Sequence, residues 1–466
     1  MNFTDLAFAP AVEQAKLIRD RQISPLELTQ LYLDRIQQFD SSLHSYFLVM
    51  AEAAIADATA KTEQLSQGDD LPPFFGVPIS IKDLTAVKGV PCSYGVKLLK
   101  DRIAKEDESI VRRIREAGFV ILGKTATPEL GATPFTEPRG YPPTRNPWNL
   151  DYTPGGSSGG AAAALAGGLC AIAVGSDGGG SIRGPAFCCG LVGIKPSRGR
   201  ISHGPFVDKL SGLATDGPLG RTVGDAAALL DIVAGRDVGD PYWLPKPEPS
   251  FWAATERSPQ PLRIAFSTHF PPVEFTHPLC EQAVKDTALL LEQMGHQVEL
   301  LEVDFSDLIE PLVRIFQAGV DMGVPGFFLS KFPRWMQRRS RRQSGGEFLR
   351  AVMQVQSLGR RFATKLHPFD VWLTPTYLHP TIQIGEWKHL RPVQMLEKII
   401  DWIAPCPPVN ASGQPAIALP TGFDDNGLPL GIQLVGRPAE EEIILSLAAE
   451  LERAKPWKHH RPAIGL

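Results

Sequence analysis

Thirteen of the 39 residues from Gly155 to Gly193 are glycine, in a chain that has 43 glycines in 466 residues; an even spread would place about four there. Glycine opens backbone conformations that other residues resist. Backbone geometry therefore dominates this stretch, and it is the first candidate for chemistry. Disorder does not explain it, because 43% of the chain is hydrophobic and only 21% charged, enough apolar surface to offset chain entropy.

Composition excludes several function classes. A net charge of −4 argues against a nucleic-acid binder, which needs a broad basic face. The longest weakly polar run, Ala161 to Gly175, is too short and too glycine-rich to span a bilayer, which takes about 20 apolar residues. Met1 to Pro10 shows no secretion-signal pattern, so a cytoplasmic protein is expected. Six cysteines, at 92, 170, 188, 189, 280 and 406, form no CxxC pair and no zinc spacing; they read as buried free thiols, with no metal and no cofactor expected.

Local signals outline an α/β chain. Ser24, Pro25 and Glu27 form a capping box with proline at the first helical position, predicting a helix to about Phe39. A second helix is expected from Ala51 to Leu65, closed by Gly68 and a turn at Asp69 and Asp70. Apolar runs at Val77–Ile81 and Phe119–Leu122 alternate with a helical stretch, Glu108–Ala117, as in a sheet covered by helices. An alanine-rich helix is expected at 161–166, straight after a glycine loop, and a strand at 191–194. Residues 237–261 read as an excursion. Strands are then expected at 262–266 and 298–301, a helix at 279–294, mostly helix over 305–365, strands at 415–420 and 431–435, and a closing helix at 441–451. Six basic residues, from Lys331 to Arg342, are interleaved with Phe332, Trp335 and Met336. They read as a membrane-surface helix, a substrate lid or a solvated helix face.

Two motifs mislead. Gly118 to Thr125 matches the GxxxxGK[ST] phosphate loop, but Phe119 to Leu122 are strand formers suited to a sheet interior, and a loop that cradles phosphate must curl. Gly155-Gly-Ser157-Ser-Gly159 matches the GxSxG nucleophile elbow, which would make the protein an α/β-hydrolase esterase with Ser157 as nucleophile. The residues before it, Asn149 to Pro154, make a poor strand.

Three features remain. The strand Val77–Ile81 ends on Lys82 and Asp83, where desolvation can depress a lysine pKa. The glycine loop carries Ser157 and Ser158 into the alanine-rich helix. Gly178, Gly179 and Gly180 leave the backbone bare just ahead of Ser181, and consecutive bare N–H groups beside a nucleophile can form an oxyanion hole.

Together these residues resemble the amidase signature family along almost the whole chain. The matching motifs are Gly76-Val-Pro-Ile79 with Lys82-Asp83, Thr153-Pro-Gly-Gly-Ser157-Ser158-Gly-Gly, Gly175-Ser176-Asp177-Gly-Gly-Gly180-Ser181-Ile-Arg183, Cys189-Gly-Leu-Val-Gly193-Ile-Lys195-Pro196, Asn410-Ala-Ser-Gly413-Gln-Pro415, and Gly427-Leu-Pro-Leu-Gly431-Ile-Gln433. The phosphate-loop mimic is similar to a structural stretch of these enzymes.

The resemblance implies a single α/β domain over 1–466, with a large mixed twisted β-sheet covered by helices on both faces. Residues 1–236 and 401–466 would form the catalytic core, and the more variable 237–400 would line the substrate pocket. It implies an amidase that hydrolyses a carboxamide to acid and amine or ammonia through an acyl-enzyme. Ser181 would be the nucleophile, Ser157 a bridging serine after a cis peptide bond from Gly156, and Lys82 the base. Gly178, Gly179, Gly180 and Ser181 would supply oxyanion N–H groups; Ser158 would support, and Asp177 with Arg183 would form a buried structural pair. For Lys82 to act near neutral pH its pKa must fall to about 7 to 8, roughly three pH units below its ordinary value.

The competing family function is the glutaminase subunit of a tRNA-dependent amidotransferase. That subunit resembles a pattern with Gln after Ser-Ile-Arg and Asp seven residues before the Asn, where this chain has Gly184 and Ile403. Gly178 also departs from the Thr of many members. A stand-alone amidase is therefore expected, with fatty-acid or oligomeric amides as a subordinate alternative. The expected partner is a small-molecule amide, with no nucleic acid and no membrane span; weak peripheral membrane association and a homodimer are left open.

Overall fold

The computed structural model describes residues 2–68 and 71–464; the turn expected at Asp69 and Asp70 lies outside them. Eleven strands form one mixed sheet: β1 (Tyr46–Val49), β2 (Pro78–Lys82), β3 (Val120–Thr125), β4 (Ile172–Asp177), β5 (Val192–Lys195), β6 (Thr215–Gly220), β7 (Arg263–Phe266), β8 (Gln297–Leu300), β9 (Val371–Pro375), β10 (Ala416–Phe423) and β11 (Pro429–Gly436). Their order across the sheet is β1-β3-β2-β4-β6-β5-β10-β11-β9-β7-β8. The pairs of β2 with β3 and β4, and of β7 with β8 and β9, are parallel. The pairs flanking β6, β10 and β11 are antiparallel. Sixteen α-helices among the described residues flank this sheet.

The capping box forms as its chemistry requires. Ser24 Oγ accepts from the Glu27 N–H and Glu27 Oε2 accepts from the Ser24 N–H, and the helix runs over Pro25–Leu43 until His44 turns left-handed. The apolar runs of β2 and β3 are buried at every position, as fits strands covered on both faces. The phosphate-loop mimic is strand β3. Its Lys124 lies inside the protein, 2.9 Å from Asp83.

The parallel pair β2 and β4 positions the site, because both strands run the same way and end at one edge, on Lys82 and Asp177. Open α/β sheets present ligand sites beyond the carboxyl ends of such strands. The chain between them returns through the helix Gly159–Ala166, packed so closely that a Cβ on Gly160 would lie 2.3 Å from the Ala126 backbone nitrogen. Much of the glycine excess reflects this want of space. Gly180 shows the other cause, with a φ of +116° that side chains resist.

No helix among the described residues is long and apolar enough to cross a membrane. All six cysteines are buried free thiols.

The contact at Gly160 is backbone against backbone, so it cannot relax by a rotamer change. Gly160→Ala is expected to destabilise the protein by about 2–3 kcal/mol or more, as overpacking does, read as a lower urea midpoint with unchanged slope.

Candidate active site

Lys82 is fully buried. Its Nζ lies 2.8 Å from Ser157 Oγ, 2.8 Å from Ser158 Oγ and 2.9 Å from Ser176 Oγ. Three hydroxyls thus surround the amine, and hydroxyls can donate to a neutral amine or accept from an ammonium. Burial pushes the Lys82 pKa down to about 7.

Ser157 follows a cis peptide bond from Gly156. Ser158 joins the two serine loops, its N–H donating to the Ser181 carbonyl at 3.3 Å and its Oγ accepting from the Ser176 N–H at 3.2 Å. Ser181 is half-buried and opens on the same cavity as Gly156 and Gly179. No hydrogen bond joins the Ser157 and Ser181 side chains among the described residues.

Behind Ser181, Asp177 and Arg183 meet with both side chains fully buried. Arg183 Nη2 lies 2.9 Å from Asp177 Oδ1 and Arg183 Nε donates to Oδ2 at 3.0 Å. Burial works to raise the Asp177 pKa, but the guanidinium overcomes it and holds the carboxyl well below its usual range. Asp177 uses this charge to hold the loop, accepting from the Gly180 N–H at 2.8 Å and the Ile182 N–H at 3.1 Å. The Gly180 N–H, expected among the oxyanion donors, is thus engaged by Asp177, since a buried carboxylate takes nearby backbone donors.

Several residues of this network carry no role from sequence reasoning. Asn410 and Gln433 accept from Arg183 at 2.6 and 3.0 Å; both stand in the quoted motifs, as does Ser176, and that membership was their signal. Lys195, also in a motif, is fully buried and pushed by burial to about 7, with its Nζ donating to the Pro196 carbonyl.

The cavity at Ser181, of about 140 Å³, is walled by Phe270, Phe305, Leu312, Phe316, Ile400 and Ile403 among others, and no charged side chain lines it. Its walls come from 270–273, 305–316, 332–336 and 396–408, and also from 131–134, so they extend on both sides of the 237–400 stretch. The basic and aromatic segment contains the helix Lys331–Ser340. Phe332 and Met336 face the cavity, whereas Arg338, Arg339, Arg341 and Arg342 are exposed. Pro333 sits in the first turn, where a missing N–H leaves no helical bond unmade.

A large mixed sheet flanked by helices carries a buried lysine among serines at its edge, and the comparisons with known proteins place this arrangement in a class of amide-hydrolysing enzymes. The Amidase family model matches residues 27–445. A protein of Synechocystis sp. named "Putative amidase" is 48% identical over 97% of this chain and 89% of its own. The solved structure of 6-aminohexanoate cyclic dimer hydrolase complexed with substrate superposes with a TM-score of 0.89 at 31% identity, covering 99% of this chain and 100% of that one. The glutamyl-tRNA(Gln) amidotransferase chain solved from Thermotoga maritima gives 0.80 at 28% identity, over 98% of this chain and 96% of that one. The chain belongs to the amidase family and is an amide hydrolase. The α/β-hydrolase alternative falls with this assignment, and no strand runs directly into Gly155.

Breaking the buried pair from one side leaves an uncompensated charge. Arg183→Met is expected to destabilise by about 3–5 kcal/mol, measured by urea unfolding, and a second change, Asp177→Asn, is expected to return part of that loss.

Proposed function

We propose that the protein hydrolyses neutral, apolar carboxamides through an acyl-enzyme on Ser181, with Ser157 as proton relay and Lys82 as base. The observation that carries this reading is the fully buried Lys82 amine 2.8 Å from Ser157 Oγ. Neutral Lys82 takes the Ser157 proton while Ser157 takes that of Ser181, whose oxygen attacks the amide carbonyl. Ser157 then returns a proton to the leaving amine, and water enters by the reverse relay. The missing Ser157–Ser181 hydrogen bond fits a free enzyme, since catalytic hydrogen bonds often tighten only with substrate present. The oxyanion donors in this reading are the N–H groups of Gly178, Gly179 and Ser181. Each such donor is worth a few kcal/mol in the transition state.

The cavity supports a stand-alone amidase over a glutaminase. Glutamine brings an ammonium and a carboxylate, and burying either without a partner is costly; the cavity wall has no charged side chain, and Ile403 is part of it. At Gly184, a Cβ would fall 1.7 Å from the Tyr377 hydroxyl, so Tyr377 fills the space where the glutaminase pattern has a glutamine side chain. A small-molecule amide is the partner in this reading. Six buried free thiols support a cytoplasmic setting, since reducing compartments keep thiols unpaired.

A panel of aryl and alkyl amides together with glutamine, assayed by amine or ammonia release, tests the reading. Apolar amides are expected to exceed glutamine by at least about 100-fold in kcat/KM, as exclusion of an unpaired buried charge predicts. Comparable glutaminase activity would overturn it.

The base must be neutral, so activity is expected to rise with pH through the Lys82 pKa of about 7 and to fall below it. The pH profile of kcat/KM on the best amide checks this; a flat profile from pH 5 to 8 contradicts it.

A further inference from the structure

Three buried carboxylates stand close to Lys82 in the chain or the sheet, and each is matched to another cation. Asp83, the next residue, is paired with Lys124 at 2.9 Å. Asp177, next to Ser176, is paired with Arg183 at 2.9 Å. The third, Asp216 of β6, is in no family motif quoted above. It stands directly opposite Ser176 of β4 in the antiparallel ladder, and directly opposed residues send their side chains to one face. Ser176 Oγ is itself 2.9 Å from Lys82 Nζ. The Asp216 side chain therefore shares a face of the sheet with that of Ser176, whose hydroxyl contacts the amine.

Asp216 belongs to a closed cluster. Lys209 Nζ lies 3.0 Å from Asp216 Oδ2 and 2.8 Å from Glu108 Oε2. His203 Nδ1 is 3.3 Å from Asp216 Oδ2, and its Nε2 faces the Ala214 carbonyl at 3.3 Å. Ligand atoms of Glu108, His203 and Asp216 lie within 4.8 Å of one another, a set that attracts a cation. The chain supplies that cation as the Lys209 ammonium, bonded to both carboxylates.

We propose that Lys209 and Asp216 are positioning residues for catalysis, with Lys209 neutralising Asp216 so that this carboxylate does not hold Lys82 in its inactive ammonium form. The proposal rests on the reading of Lys82 as the base. Against the dominant effect of burial, Asp216 and Asp177 act to raise the Lys82 pKa and Lys209 to lower it. A lone carboxylate at this depth would act on the amine through a medium of low dielectric, where one unit charge several ångströms away changes a pKa by about one pH unit or more. Pairing it with Lys209 removes most of that field. The lysine pocket is thus dry yet flanked by charge, and the Asp216 charge is opposed at contact distance by Lys209.

The test is the pH dependence of the rate at which a fluorophosphonate labels the full-length protein, followed for the wild type, Lys209→Met, Asp216→Asn and the double variant. Losing the Lys209 cation is expected to move the acid limb up by about one pH unit, and losing the Asp216 anion to move it down by a similar amount. The double variant is expected to return close to the wild type. A merely structural role would lower the rate without moving the limb in opposite directions. A wild-type limb near pH 7 that stays in place in both single variants overturns the proposal. Should Lys209→Met fail to fold, Asp216→Asn decides by itself: a downward move supports the proposal and an unmoved limb overturns it. If instead the wild type shows no limb, or Lys82→Met labels as fast as the wild type, the reading of Lys82 as base has failed.

Discussion

The structure depends on one buried amine that has hydroxyls as neighbours and no carboxylate of its own. A lysine taken out of water gives up its charge unless an anion compensates it. At Lys82 the contacts are the hydroxyls of Ser157, Ser158 and Ser176, which can serve the amine in either protonation state. The surrounding carboxylates are each held by another cation. What results is a buried amine whose pKa burial lowers to about 7, a state suited to the base role proposed above, and the sheet, the glycine loops and the ion pairs surround it.

The sheet brings the parts together. Parallel strands β2 and β4 end side by side, delivering Lys82 from one and Ser176 and Asp177 from the other. The 155–158 loop then has to approach both, and glycine permits the approach: a Cβ on Gly156 would lie 2.5 Å from the Phe135 backbone nitrogen. Asp177 holds the second loop from behind, accepting from the backbone N–H groups of Gly180, Ile182 and Arg183. Ser181 and Ser157 are consequently positioned by packed backbone and buried ion pairs rather than by flexible side chains, which is what a site needs to stay within catalytic tolerance.

Much of this was legible in the sequence, and the rest was hidden for identifiable reasons. The helix from Pro25 announces itself through Ser24 and Glu27, and the helix Ala51–Leu65 has the boundaries its pattern predicts. Strand β6 escaped because its residues, Thr-Asp-Gly-Pro-Leu-Gly, read as a turn; Pro218 is paired with Val174 in mid-sheet, where proline is seldom found. Strand β9 escaped because five residues closed by Pro375 are too few to show a period. Lys82, Ser157 and Ser181 stood in motifs. Lys209 and Asp216 are isolated polar residues; the register of β4 against β6 sets Asp216 opposite Ser176, and an ion pair joins Lys209 to it. The cavity was equally invisible, since its walls are assembled from stretches between residues 131 and 408 that share no local pattern.

The central claim is that Ser181 is the nucleophile and Ser157 the relay. Mass spectrometry of the protein after reaction with a fluorophosphonate tests it most directly, because the adduct stays on the attacking oxygen. The account predicts a single adduct, on Ser181, that is lost in Ser181→Ala. An adduct on Ser157, surviving in Ser181→Ala, would contradict it.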